Sequence, residues 1–193
     1  MIIGLVGQKQ AGKDTTAAYL KVKLGTVRVA FADKLKALCG ELFNIDFSNE
    51  ENKVKHRDIL QHIGETARQH DQNVWCNYVF RQVDAKPDTV NVITDVRYLN
   101  EMTEIKNRNG ILVRINRPGC TGDAHISERE MNMPVALKMV DYFVDNSGTM
   151  SDFETELDKL IVKLQSNHNI KIMAPAKKKK RRKNEASIDT VCD

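Results

Sequence analysis

The sequence predicts an α/β fold: a parallel sheet of about five strands with helices on both faces, forming a single domain that carries a basic tail. Three observations point there. Short apolar runs rich in β-branched residues alternate with longer stretches of helical spacing. The runs are apolar throughout rather than at every second position, as in strands buried on both faces. At 193 residues the chain is long enough for one ordinary domain and too short for two.

Taken in order, the first strand is expected at Ile2–Val6 and the first helix at Lys13–Leu24. A second strand at Val27–Phe31 and a helix at Asp33–Phe43 follow. Asn44–Lys55 is polar and rich in turn formers (Asp46, Ser48, Asn49, Asn52), so it reads as a long loop. Helical spacing returns over Arg57–His70 and Val74–Val83, before a strand at Val90–Thr94, a helix at Asn100–Asn107 and a strand at Ile111–Ile115. Arg117–Glu128 carries Pro118, Gly119 and Gly122 and reads as a second long loop, a length usually tied to function in a compact domain. Tyr142–Val144 is the weakest strand. In the last helix, Asp152–Leu164, Phe153, Leu157, Leu160, Ile161 and Leu164 share one face. The domain is expected over residues 1–173, and residues 174–193 form a disordered polybasic tail.

Hydrophobic residues make up 41% of the chain and charged residues 29%, a globular composition. Apolar runs stay far below the ~20 residues that cross a bilayer, and Met1–Gly7 is too short for a secretory signal core. No membrane partner is expected. The net charge of +4 sits wholly in the tail, where the seven cations of Lys177–Lys183 face only Glu185, Asp189 and Asp193. Residues 1–173 sum to zero, which argues against a body built to bind nucleic acid. Cysteines 39, 76, 120 and 192 have neither CxxC spacing nor a paired His motif, so reduced thiols are expected rather than zinc or a disulfide framework.

Directly after the first strand, Gly7-Gln8-Lys9-Gln10-Ala11-Gly12-Lys13-Asp14-Thr15-Thr16 has the G-x-x-x-x-G-K spacing of a phosphate-binding loop at a strand-to-helix junction. Glycines there let the backbone turn successive N–H groups inward, the following helix aims its positive end at the same place, and Lys13 offsets phosphate charge. Gly7, Ala11, Gly12, Lys13, Asp14 and Thr15 are therefore the expected ATP cradle, with Thr15 donating to the α-phosphate. Asp14 stands where most such loops carry Ser or Thr. It either holds Mg2+, directly or through water, or serves only as a favourable charge at the helix N-terminus.

Val90–Thr94 runs into Asp95, an acid at a strand end. Such an acid either caps a helix or acts as the magnesium-linked carboxylate that partners a phosphate loop. The loop favours the second role, because strand ends of an open α/β sheet converge on one crevice.

These segments, GLVGQKQAGKD at 4–14, AFADKLK at 30–36, Arg57–Arg68 followed by Trp75, VITDVRYLNE at 92–101 and HISE at 125–128, resemble the bacteriophage-type deoxynucleoside monophosphate kinases. That family is a P-loop branch related to adenylate and thymidylate kinases. The resemblance runs along most of residues 1–150 and implies a P-loop kinase fold. It also implies transfer of the γ-phosphoryl group of ATP, with Mg2+, to a deoxynucleoside monophosphate, in the service of viral DNA synthesis.

Phosphoryl transfer between two polyanions needs cations around both, so Arg57, Arg68, Arg97 and Arg117 are the acceptor-side candidates. Arg97 is two residues past Asp95, and Arg68 resembles the family's acceptor-side arginine. Each alternatively forms an ordinary surface ion pair. Lys13, Asp14, Arg68 and Arg97 are expected to bear the chemistry, Asp14 and Asp95 the metal. Asp33 either meets the acceptor's sugar or base or caps the helix that follows. Trp75 either stacks on a base or packs in the core, and core packing is the commoner fate. His125, Ser127 and Glu128 belong to a loop whose task the residues do not specify.

PAKKKKRRK at 175–183 has the pattern of a nuclear-import signal or of attachment to nucleic acid, or it is a solvated appendage. Its possible partners are thus an import receptor or nucleic acid, and the expected location is the host cytoplasm, or the nucleus if the tail acts as an address. The sequence leaves the oligomeric state open, a dimer included. Two rivals stand beside the main reading: a dephospho-coenzyme A or phosphomevalonate type of kinase, and a nucleotide-regulated nucleic-acid-binding protein.

Overall fold

The computed structural model describes residues 1–120, 129–168 and 170. Its middle layer is a wholly parallel sheet of β1 (Ile2–Val6), β2 (Val27–Val29), β3 (Asn91–Val96), β4 (Ile111–Asn116) and β5 (Tyr142–Asp145), in the spatial order β2-β3-β1-β4-β5. The helices are α1 (Lys13–Leu24), α2 (Phe31–Phe43), α3 (Glu50–Lys55), α4 (Arg57–His70), α5 (Val74–Asp84), α6 (Leu99–Asn107), α7 (Pro134–Met139) and α8 (Met150–His168).

β1 lies in the centre, and all five of its residues are buried. Alternate side chains serve opposite layers. Ile3 and Leu5 pack with α1 and α8 through Leu20, Leu24, Phe153 and Leu157, while Ile2 and Val6 meet α2, α5 and α6 through Phe31, Phe80 and Met102. Burial on both faces is why the strand runs lack polar alternation. From β1 the chain goes out to the edge at β2, returns to β3 beside β1, and crosses to β4 on its other side. The crossovers after β1 and after β3 therefore run in opposite directions along the sheet, and the crevice of such a sheet opens at the carboxyl ends of its strands.

Boundaries differ from expectation where distant residues intervene. The second strand stops at Val29 and α2 begins at Phe31, two residues before its expected start. Asp95 of β3 accepts hydrogen bonds from the Phe31 and Ala32 amides, both at 2.9 Å. These first-turn donors have no partner within their own helix, so a carboxylate 64 residues along the chain supplies one. The expected loop at 44–55 contains α3: Asn49, taken as a turn former, is its N-cap, and its side chain accepts from the Glu51 amide at 2.8 Å. The unexpected α7 opens with Pro134 in its first turn, where a missing N–H costs nothing. Gly122, His125, Ser127, Glu128 and the tail from 174 to 193 lie outside the described residues. Among the described residues, no helix is long and apolar enough to cross a membrane.

Candidate functional site

The loop between β1 and α1 is shaped by backbone that side chains would obstruct. Gly7 has φ +151°, and a Cβ there would lie 2.7 Å from the Ile115 carbonyl oxygen. Gly12 has φ +108°, and a Cβ there would lie 2.7 Å from Nδ2 of Asn146. Both glycines sit in the left-handed half of φ space, which suits residues without a side chain. Asn146, just past β5, braces the loop by donating to the Ala11 carbonyl at 2.9 Å. Lys13 is 8% exposed, and its ammonium donates to the carbonyls of Gly7 and Gln8 at 2.6 Å each. One cation is thereby fixed inside the curl of the loop. Thr16 ties its hydroxyl to the Gly12 carbonyl at 3.0 Å, and Thr15 is half-buried in the first turn of α1.

A crevice of about 380 Å³ opens beside this loop, within the size range of small-ligand sites. Of the expected site residues, Lys13, Asp14, Arg57, Arg68, Asp95 and Arg97 all line it. Eight Lys or Arg side chains and four carboxylates share the lining, so the crevice is cationic although residues 1–173 are neutral overall. That balance suits polyanionic ligands.

Gly7, Ala11, Gly12 and Thr15 belong to the loop beside this crevice and are not in its lining, and two expected acceptor-side residues, Asp33 and Arg117, do not line it either. Asp33 is in the first turn of α2, where Arg28 donates to its Oδ2 at 2.7 Å. Arg117 follows β4 and donates to the Gln10 carbonyl at 3.3 Å, in a neighbouring recess with Gln8, Ala11 and Asn116. Trp75 packs in the core, 6% exposed with its indole donating to the Gly64 carbonyl at 3.2 Å, and it also borders the crevice.

Asp95 engages both carboxylate oxygens with α2 amides, as a cap does, and each oxygen keeps a further lone pair. Asp14 is exposed at the start of α1. Among the described residues no three His, Cys, Asp or Glu side chains form a cluster fit for a metal ion. Two carboxylates on one crevice do fit Mg2+, which keeps several waters and takes one or two carboxylates plus phosphate oxygens.

Sequence reasoning missed Arg28, Lys36, Lys53, Tyr98 and Glu101, all of which border the crevice. Glu101 had a signal, since an acid three residues into a helix often reaches back to the amides before it. Its Oε2 accepts from the amides of Arg97 at 2.8 Å and Tyr98 at 3.1 Å. Arg68 lies 3.7 Å from its Oε1 and stacks 4.0 Å from the centre of the Tyr98 ring. Burial, and then the neighbouring charge of Asp95, pushes the Glu101 carboxyl up to about 7. Arg28 and Lys36 carried no comparable signal, because strand and helix packing alone brings them to the rim.

Comparison with known proteins bears on the family and the fold. Residues 5–110 match the family model described as phosphomevalonate kinase. A protein of Acanthamoeba polyphaga mimivirus named "Putative deoxynucleotide monophosphate kinase" is 32% identical, over 81% of this chain and 94% of its own. Among solved structures, TT1252 from Thermus thermophilus is 16% identical, over 85% of this chain and 97% of its own, with a TM-score of 0.52. Shikimate kinase from Acinetobacter baumannii, solved with shikimate, is also 16% identical, over 86% and 94%, with a TM-score of 0.50. At such low identity these structures speak for the fold alone, and that fold is the expected one.

Proposed function

Since this chain belongs to the phosphomevalonate kinase family of P-loop kinases, we propose that it transfers the γ-phosphoryl group of ATP to a deoxynucleoside monophosphate. The observation that carries the reading is a single cationic crevice holding both a phosphate loop with Lys13 and a second arginine set, Arg57, Arg68 and Arg97. One cationic group suffices for a nucleotide alone. Two are what transfer between phosphate-bearing substrates demands. Phe31, Trp75 and Tyr98 add aromatic wall to the same crevice, which favours an acceptor with a base over a wholly aliphatic one. The name of the mimivirus relative supports the same choice.

On this reading, the loop amides and Lys13 hold the β- and γ-phosphates, and Arg97 and Arg68 hold the acceptor phosphate in line with them. Asp14 and Asp95 are the residues that would hold Mg2+, whose charge would help neutralise the phosphates. No side chain has to remove a proton, because alignment and electrostatic stabilisation carry most of this reaction. Bidentate arginines suit the acceptor better than lysines, whose ammonium is a point charge.

The test is ADP release with ATP and Mg2+ against dAMP, dGMP, dCMP, dTMP, hydroxymethylated pyrimidine monophosphates and phosphomevalonate. Stimulation by one or more nucleotides is expected. Stimulation by phosphomevalonate alone would overturn the proposal.

A further inference from the structure

Glu101 makes contacts that its role as a helix cap does not require. It is 2% exposed, on α6. Through Oε2 it holds the amides of Arg97 and Tyr98, and through Oε1 it faces the guanidinium of Arg68 on α4. Arg68 is further set by its stack on Tyr98 and by donating to the Gly64 carbonyl at 3.3 Å. One buried carboxyl thus touches the main chain from which Arg97 projects and the head group of Arg68. A neutral glutamine could cap the same two amides. Taking a carboxylate out of water is costly unless a partner offsets it, and Asp95 nearby adds repulsion. The charged partner in place is Arg68.

We infer that Glu101 is a positioning residue that sets Arg68 and the Arg97 backbone in the geometry that receives the acceptor's phosphate. The inference rests on the reading of this crevice as the site of a phosphorylated acceptor. Its consequence is selective: loss of the charge on Glu101 loosens the acceptor side, while the phosphate loop, built from β1, α1 and Asn146, keeps its shape.

Steady-state kinetics of Glu101→Gln in the full chain decide the matter. They are run at pH 8, above the titration of Glu101, with ATP varied against the wild type's best acceptor from the panel above. The acceptor KM is expected to rise about tenfold, the equivalent of one charge-assisted contact, while the ATP KM stays within about twofold. An unchanged acceptor KM in a variant with normal circular dichroism overturns the inference, and so does an equal rise in both KM values. Should Glu101→Gln fail to fold, Glu101→Asp retains the charge but withdraws it from Arg68 by one methylene. The same split is then required of it, and its absence is equally fatal. Wild-type turnover separates the two layers of the argument. If the wild type accepts only phosphomevalonate, the nucleotide reading fails and the split is measured on that acceptor; if it accepts nothing in the panel, both fall.

Discussion

Lys13 and Glu101 are both buried charges at the crevice, and opposite requirements hold them there. Lys13 keeps its ammonium on two carbonyls of its own loop at 2.6 Å, so its charge is positioned before any phosphate arrives. Lys13→Ala is expected to lower turnover about 10²–10³-fold, the scale of one lost transition-state contact, with circular dichroism unchanged; ordinary ADP release from that variant would remove the loop from the mechanism. Glu101 bears on stability as well as geometry. Its carboxyl titrates near 7 in the fold against 4.5 ordinarily, so between those values the folded chain binds more protons than the unfolded one. Its contribution to stability is therefore largest at low pH and declines as pH rises through this window, by on the order of 3 kcal/mol. Urea unfolding at pH 5, 6, 7 and 8 should show that decline in the wild type relative to Glu101→Gln. Parallel curves for the two proteins would show that the buried charge is not destabilising. A variant that is more stable at pH 8 and poorer in acceptor binding is the pattern of a functional charge retained at a cost in stability.

At the level of elements, α2 depends on β3. Helix N-termini leave amides without partners, and here Asp95 meets two of them from the adjacent strand. An asparagine offers one carbonyl oxygen in place of two carboxylate oxygens, so Asp95→Asn should forfeit at least one of these bonds together with the favourable charge at the helix start. The expected loss is about 1–2 kcal/mol, or roughly 2–8 °C in Tm for a chain of this size. Thermal melting checks this directly. An unchanged Tm would mean that α2 starts at Phe31 for some other reason. α3 teaches a related lesson: Asp46, Asn49 and Asn52 look like turn formers because short polar side chains compete for backbone amides. Asn49 does so as a cap, which begins a helix rather than preventing one.

For the whole molecule, charge is divided between a neutral stretch, residues 1–173, and a tail that carries the net +4. Among the described residues the crevice draws its lining from residues 9 to 101, and the phosphate loop and every candidate arginine belong to residues 1–173, so catalysis should not need residues 174–193. Truncation after residue 173 is expected to leave kcat and both KM values within about twofold. Any affinity of the chain for nucleic acid should fall, along with its salt dependence, by the several phosphate contacts the tail can make. Loss of ADP production on truncation would refute that division. The same experiment separates the kinase reading from a nucleotide-regulated nucleic-acid-binding protein, for which the tail would be the working surface.

The parallel sheet, the helices α1 and α4 to the residue, and the phosphate loop were legible in the sequence, because each rests on local causes. Continuous apolar runs declare strands buried on both faces, and a loop gripping phosphate needs glycines and a lysine at set spacing. Asp95 was legible as an acid at a strand end; of its two stated roles the structure shows the cap, on a side chain that also lines the crevice. Tertiary structure alone set Asp33 and Arg117 apart from the crevice, recruited Arg28, Lys36 and Lys53 to its rim, and started α2 at Phe31. It also joined Glu101 to Arg68 across α6 and α4. Those outcomes depend on which distant side chains the sheet order brings within a few ångströms, and single-chain periodicity carries no information about that distance.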